Sequence, residues 1–539
     1  MGESIATYDY VIAGAGSAGC VLAHRLTEDP KITVCLLEAG PPDRSPYIHV
    51  PAGLLKLPYH AKVNWRYNTT AQPTMNGRQI FVPRGRTLGG TSSINGMVYI
   101  RGHRLDYDEW AADGNAGWAW RDVKPYFLKA ENNEQFGGDE HHGKGGPLNV
   151  TFVKRAARLE RDFVSAAESL QYRENKDFNG DVQDGFGLHQ VTQKNGRRWS
   201  TAMAYLRPAL DRPNLTVMTD APVMRVILEN NHAVGVMLSG ERRIDARAEV
   251  LLSAGAIVSP KILMQSGIGD ADELKAQGVA TLHHLPGVGK NLQDHAAAGV
   301  MMRTVSRATY GFSWPVVHRL AWNALEYIFG RTGIFASNLV ESGGFIRTRG
   351  DLDRPDIQFV FVPGWRATPP AVIESGHGYC LYSVLLRPKS RGTVALAGPD
   401  PMAAPIIDPQ FYSAGDDMQV MVKGFKEARR IVHAASFQKY KPTELAPGTS
   451  VQNDAGIEDY IRSNGSTIYH PVGTCKMGND ATAVVDARLR VKGIDGLRVV
   501  DASIMPTICG GNTNAPTIMI GEKAADMIKE DARASRRAA

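Results

Sequence analysis

The run YDYVIAGAGSAG near the start of the chain constrains the fold more than any other stretch. Tyr8 to Ala13 read as a short apolar strand. Gly14 and Gly16 permit a tight turn and the close approach of a pyrophosphate, and Gly19 lets the following helix, SAGCVLAHRL, pack against the strand. Ser17 and Ala18 open that helix, so its positive end and free amides point at phosphate. A second strand, Ile32 to Leu37, ends in Glu38, the acid expected about 20 residues on to hold a ribose hydroxyl. These features describe a βαβ unit that binds a dinucleotide, and they leave NAD and FAD equally open.

Residues 84 to 102, RGRTLGGTSSINGMVYIRG, carry little side-chain bulk. Such a segment suits a loop lying flat against a planar ring with its amides at the polar edge, although a turn-rich loop over the sheet has the same composition. Residues 253 to 269, SAGAIVSPKILMQSGIG, again open a helix with small residues and close it with glycines. Further on, TIYHPVGTCKMG (467 to 478) offers His470 as a base, as a metal ligand with Cys475, or as a packed histidine under a turn. The metal role lacks two further ligands at suitable spacing, so no metal is expected.

A chain of 539 residues exceeds what one core supports, and two or more structural units are expected. The net charge of +6 is spread without a Lys/Arg run, which excludes nucleic acid as an expected partner. Five cysteines without a CxxC pair argue against a disulfide framework and a structural zinc site, and for a reducing compartment. The N-terminus enters a strand without a basic and apolar leader, and no apolar run is long enough to span a bilayer, so a cytoplasmic protein is expected. Residues 314 to 329, WPVVHRLAWNALEYIF, form an amphipathic helix with two tryptophans. It is either buried against its own domain or a peripheral contact with the inner face of the cytoplasmic membrane.

GAGSAG, GRTLGGTSSINGMVYIRG, GAIVSPKILMQSGIG, LPGVGKNLQDH, YHPVGTCKMG and GNTNAPTIMIGE occur in order between about residues 7 and 528. In these motifs the chain resembles the glucose-methanol-choline (GMC) oxidoreductases, and within them the bacterial aliphatic alcohol dehydrogenases and choline dehydrogenases. The resemblance implies an α/β fold (α+β taken as a whole): a Rossmann-like FAD-binding domain with an inserted substrate domain on an antiparallel sheet flanked by helices. The expected division is 7–300 for the first part of the FAD domain, with substrate-domain segments within 150–210, then 301–465 for the substrate domain. Residues 466–528 return to the FAD domain, and 529–539 form a flexible tail. DIQFVFVPGW and GYCLYSVLLRPKSRGTVALAG supply the alternation of the antiparallel sheet, with DDMQVMVKGFKEARRIVHAA as a helix across it.

By the same resemblance, Gly14, Gly16, Ser17, Ala18, Gly19, Glu38 and Ala39 hold the ADP half of FAD, with Val223 beside the adenine and Trp65 lining that region. Gly90, Asn95, Gly96, Met97 and Val98 contact the flavin, as do Tyr469, Asn512 and Thr513, and Asp501-Ala502 meet the pyrophosphate or ribityl. Relatives that hold FAD covalently do so through a histidine before the asparagine; Ile94 stands there, so FAD is expected to be non-covalent.

The implied reaction is oxidation of a primary alcohol to an aldehyde. His470 removes the hydroxyl proton and Asn512, 42 residues on, donates to the oxygen, while hydride passes to flavin N5; Asn514 is the rival for the second role. Electrons pass to a quinone or another non-oxygen acceptor. A choline dehydrogenase and a peroxide-producing oxidase are the alternatives. Tyr469, Glu341 and Trp365 are the substrate-side candidates, the glutamate as a partner for a quaternary ammonium or for Arg347. His103, His142, His283, His284 and His295 are expected to be structural or surface groups.

Overall fold

The computed structural model describes residues 4–538 apart from 312, 315–316 and 365–375. The chain runs through β1 (Ser4–Ala13), α1 (Ser17–Leu26), β2 (Val34–Leu37), β3 (Gly185–Leu188) and β4 (Leu215–Met218). It continues through β5 (Val223–Glu229), β6 (His232–Leu238), β7 (Arg243–Leu252), α2 (Gly255–Gln265), β8 (Ala296–Thr304) and α3 (Val317–Gly330). Then follow β9 (Ser342–Ile346), β10 (Ile357–Val362), β11 (His377–Leu385), α4 (Asp417–Val432), β12 (Thr443–Ala446), β13 (Ser466–Thr467), β14 (Leu497–Val499) and α5 (Asn514–Ala538).

Two seven-stranded sheets organise the molecule. The first has the order β4–β2–β1–β7–β6–β5, with β14 also on β7. Its β4, β2, β1, β7 and β14 pair in parallel, and β6 and β5 add an antiparallel edge. A parallel strand is covered on both faces and needs a continuous apolar run, and Val34–Leu37 is buried at every position. Helices α1 and α5 pack together on this sheet, where a side chain on Gly521 would stand 3.0 Å from Val21 and 3.1 Å from Ala18.

The second sheet is antiparallel throughout, in the order β12–β8–β11–β10–β9–β3, with β13 on β8. Helix α4 lies across its outer face and buries Met421, Phe425 and Ile431 at helical spacing. Positions 297, 299 and 301 of β8, 358, 360 and 362 of β10, and 380 and 382 of β11 turn the other way, toward a cavity.

The structure departs from two expected boundaries. Strand β8 begins at Ala296, so the antiparallel sheet crosses the expected division at 300, while β3 joins it from the stretch within 150–210 where substrate-domain segments are expected. The expected tail is helical to Ala538: α5 continues because Lys529 bonds Glu28 and Asp531 accepts from Arg498 and Arg488.

Candidate active site

One cavity of about 1090 Å³ runs between the two sheets. At its first end β1 delivers Gly14, whose φ of +105° and lack of a side chain are both required, since a Cβ would sit 2.6 Å from the Ser253 carbonyl. Gly16 is the N-cap of α1 and lines the cavity with Ser17 and Ala18. Gly19 does not line it; a Cβ there would lie 1.9 Å from the Gly14 carbonyl, so its role is to let α1 seat on the turn.

The Glu38 carboxylate accepts from the amides of Ala15 at 3.1 Å and Gly40 at 2.9 Å, and burial pushes it up to about 7. Ala39, Val223 and Trp65 line the same end, Trp65 stacked on Tyr67 and covered by Arg86. Asp501 lines the cavity with Ala502, but its carboxylate is engaged with Gly255 N, Ser259 Oγ and Ser503 N. It therefore positions the start of α2 and the turn at 502–504 rather than offering free oxygens.

The glycine-rich loop lies directly on the phosphate turn. Gly89 N donates to the Ala15 carbonyl at 2.8 Å, and a Cβ on Gly90 would meet Gly16 Cα at 2.7 Å. Asn95 Oδ1 accepts from Met97 N and from the buried Arg198, while Met97 takes the left-handed conformation at φ 60°. That turn carries Gly96 and Val98 along the cavity wall. Arg198 has no carboxylate among its bonds, and burial lowers it to about 9. Thr513 lines the far side of this end.

His470, Asn512 and Tyr469 meet where the two sheets join. His470 is 9% exposed, and Asn512 Nδ2 donates to its Nε2 at 3.2 Å. Asn514 turns away: its Oδ1 accepts from Ser17 Oγ at 2.7 Å. The loop bearing His470 is tied to the start of β8 by Asp294, whose Oδ1 accepts from the amides of His470 and His295 and whose Oδ2 accepts from Thr467 Oγ1. Tyr469 takes φ 70°, and its carbonyl accepts from the half-buried Arg84.

His295, expected to be structural or at the surface, belongs to this site. Its Nδ1 faces His470 Nδ1 at 3.0 Å. One of the two must donate. A proton on His470 Nδ1 leaves Nε2 as the lone-pair nitrogen that receives the Asn512 amide and faces the cavity. Burial first, then the charge His295 would carry and that of Arg84, hold His470 well below an ordinary histidine, so it is a neutral base. Burial lowers His295 to about 3. The signal for His295 lies in LQDH: an Asp-His pair immediately before the small residues of a cavity-lining strand.

The other expected positions fall elsewhere. Glu341 is 1% exposed and does not line the cavity; it accepts from Ala157 N and Tyr310 Oη and lies beside the buried Glu160. Arg347 pairs with Asp184 instead. Trp365 lies outside the described residues. His103 caps a helix, His142 bridges Glu131 and Asp177, His283 bonds the Lys492 carbonyl and His284 accepts from Ala271 N, all away from the cavity.

Beyond His470 the cavity becomes an apolar arm between β8, β10 and β11, past Ala297, Gly299, Val360 and Met301. It reaches a mouth formed by Leu55 and Lys56 on one side and Leu320, Ala324 and Ile328 of α3 on the other. One end thus suits a dinucleotide, the loop 90–98 suits a planar ring, and the arm brings a small molecule to His470.

Two family models, both described as GMC oxidoreductase, match residues 8–297 and 388–521. The chain is 46% identical to an alcohol dehydrogenase [acceptor] of Pseudomonas putida over 526 residues, 97% of this chain and 95% of that protein. It is 42% identical to the mitochondrial choline dehydrogenase of Homo sapiens, over 98% of this chain and 90% of that one. Among solved structures it resembles pyridoxine 4-oxidase from Mesorbium loti, at a TM-score of 0.88 and 33% identity over 97% of this chain and 99% of the other. A formate oxidase gives a TM-score of 0.90 at 27% identity, with 99% of each chain covered. With both family models matched in order and relatives alike over nearly their whole length, the chain belongs to the GMC oxidoreductases, enzymes that carry FAD.

Proposed function

We propose that this enzyme oxidises an aliphatic primary alcohol to the aldehyde and passes the electrons to a quinone or similar non-oxygen acceptor. The observation that carries this reading is the neutral His470 beside the Asn512 amide at the inner end of an apolar arm. FAD bound along Gly16, Glu38 and the loop 95–98 supplies the two-electron acceptor, held non-covalently because Ile94 offers no nucleophile. His470 Nε2 takes the hydroxyl proton, and the Asn512 N–H donates to the oxygen as it gains charge. Tyr469 and the apolar wall exclude water from the reacting carbon.

The walls favour an alkyl chain over choline. Among the described lining residues the only carboxylates are Glu38 and Asp501, both at the nucleotide end, so a quaternary ammonium in the arm meets no counter-charge among them. From position 297 to 301 a strand advances about 13 Å, and a staggered alkyl chain advances about 1.3 Å per carbon. The arm therefore suits chains of about ten carbons. Anaerobic bleaching of the flavin by alcohols of rising length should be fastest at medium length, and bleaching by choline alone would overturn the aliphatic reading. In air, peroxide formed at the rate of alcohol turnover would overturn the acceptor reading.

The mouth favours contact with an anionic bilayer. Trp322, Leu325, Ile328 and Phe329 of α3 stand out at 70, 49, 59 and 84% exposure, and no described helix is long and apolar enough to cross a membrane. Residues 44–105 and 295–325, which build both lips, contain no acidic residue, and Glu326 is paired with Arg155. Holoenzyme should co-sediment with anionic vesicles and less with neutral ones. Trp322→Ser with Phe329→Ser should lower the partition at least tenfold, by removing roughly 3 kcal/mol or more of apolar burial; equal partition of the variant and the wild type would overturn the contact.

A further inference from the structure

Gln358 sits on β10 with its side chain on the cavity face, fully buried. Its Nε2 donates to Asn512 Oδ1 at 3.4 Å, and its Oε1 has no partner among the described residues. The neighbours across the sheet are Phe345 and Val384, which offer no polar side chain. A buried amide that makes one bond on the cavity face, and makes it to the oxyanion donor, has little role in holding the sheet.

An amide can be turned over, so which atom of Asn512 meets His470 is decided by the bonds around it. Two arrangements are self-consistent. In one, His295 donates from its outer nitrogen, His470 donates from Nδ1 to His295, Asn512 donates to His470 Nε2, and Gln358 donates to Asn512 Oδ1. In the other every bond reverses, and Asn512 turns its oxygen toward His470 and the alcohol. The second arrangement abolishes both functions of the site, because Nε2 then carries a proton and no N–H faces the developing alkoxide. At the far end of the chain the Leu386 carbonyl faces the outer edge of His295, outside full hydrogen-bond geometry, and can only accept. It favours the first arrangement from that end.

We infer that Gln358 is a positioning residue that fixes Asn512 as a donor and His470 as an acceptor, setting the direction of the whole chain from Leu386 through His295, His470 and Asn512. The inference rests on alcohol oxidation at His470. It assigns no contact between Gln358 and the alcohol.

Two variants test it on the FAD-loaded enzyme. Gln358→Met keeps the volume and removes the donor. Gln358→Glu, when ionised, can only accept, so it pulls the Asn512 N–H to itself and reverses the chain. Anaerobic flavin reduction by an alcohol that bleaches the wild type should fall about tenfold in Q358M and about a thousandfold in Q358E at pH 9, since reversal withdraws both the base and the oxyanion donor. KM should change little in either. As the pH falls to 6 the Q358E carboxyl gains a proton and can donate again, so its rate relative to the wild type should rise, whereas that of Q358M should stay level. His470, His295, Asp294, Arg84, Arg387 and its partner Asp106 are the titratable and charged groups around the chain. They are common to all three proteins, so the ratio isolates position 358. A second readout needs no turnover: with ring-15N histidine, His470 Nε2 should move from the unprotonated to the protonated range in Q358E and Nδ1 the opposite way. Wild-type rates in Q358E at pH 9, equal losses in the two variants at every pH, or unmoved His470 nitrogens would overturn the inference. Should no alcohol bleach the wild type, alcohol oxidation fails, while the nitrogen shifts still decide the direction of the chain.

Discussion

The two walls of the cavity are built by different rules. The nucleotide wall is backbone: a Cβ on Gly14 would press the Ser253 carbonyl, one on Gly19 the Gly14 carbonyl, and one on Gly90 the Gly16 Cα, at 2.6, 1.9 and 2.7 Å. The substrate wall is made of side chains on alternate positions of β8, β10 and β11. There a Cβ on Gly299 would meet Cys380 Sγ at 2.8 Å and the Tyr382 ring at 2.9 Å, groups that can turn aside. The first wall accepts one residue type per position, and the second can be reshaped while the fold survives. The proposed chemistry stands at the seam, on the 467–472 loop and the segment before α5, with a rigid wall on one side and an adjustable arm on the other.

The largest effect should come from the seam itself. His470→Ala removes the proton acceptor and leaves both walls standing, so flavin reduction in stopped flow should fall about a thousandfold with FAD content unchanged. Reduction at the wild-type rate would detach His470 from the chemistry. Next come the glycines, which separate two uses of one residue type. Gly16→Ala meets nothing closer than the Ser253 carbonyl at 3.6 Å, so the protein should fold but lose FAD affinity about tenfold or more, because the methyl enters the space of the pyrophosphate. Gly19→Ala should instead lower the melting temperature or prevent folding, since the Gly14 carbonyl cannot yield 1.9 Å without moving the turn. Equal FAD loading in Gly16→Ala and the wild type would contradict the backbone account of that wall.

The difference between the walls also decides how much of each is legible in the sequence. Gly14, Gly16, Gly19 and Glu38 announce themselves because close backbone approach admits only glycine and an acid at the cavity follows at a fixed spacing. The parallel and antiparallel halves are legible from continuous against alternating apolar runs. The meeting of His470 with Asn512 in the candidate site is legible from their two motifs, but that with His295 is not, because the contact spans 175 residues and leaves no local spacing. Glu341 misleads for a related reason: a carboxylate in a chain that resembles choline dehydrogenases reads as a partner for a quaternary ammonium, and only the fold reveals that Ala157 N and Tyr310 claim its oxygens. The end of α5 reads as a solvated tail because of its charged composition, and the pairing of Asp531 with Arg498 that makes it a helix is a tertiary fact.

A substitution on the adjustable wall should change selectivity and little else. Gly299→Ala pushes the Cys380 thiol and the Tyr382 ring into the arm, so KM for medium-chain alcohols should rise about tenfold, a change of roughly 1.4 kcal/mol, while short alcohols are oxidised as by the wild type. A uniform loss across chain lengths would mean that the arm is not where the chain lies.

The smallest expected effect is the most direct measure of how the seam is buried. An ordinary histidine with a pKa near 6.5 is about one quarter neutral at pH 6 and nearly all neutral at pH 8, so a base of that kind loses about fourfold in rate over the interval. Burial and the neighbouring Arg84 and His295 hold His470 well below that value, so acidifying to pH 6 leaves its Nε2 lone pair in place. Flavin reduction at saturating alcohol should then change by less than about twofold between pH 6 and 8. Arg84→Gln removes a charge that opposes protonation of His470, so its acidic limb should move to higher pH, in the direction of an ordinary histidine. A wild-type limb centred near 6.5, or no upward movement in Arg84→Gln, would show that solvent reaches the seam from the arm and that the two walls do not close around it.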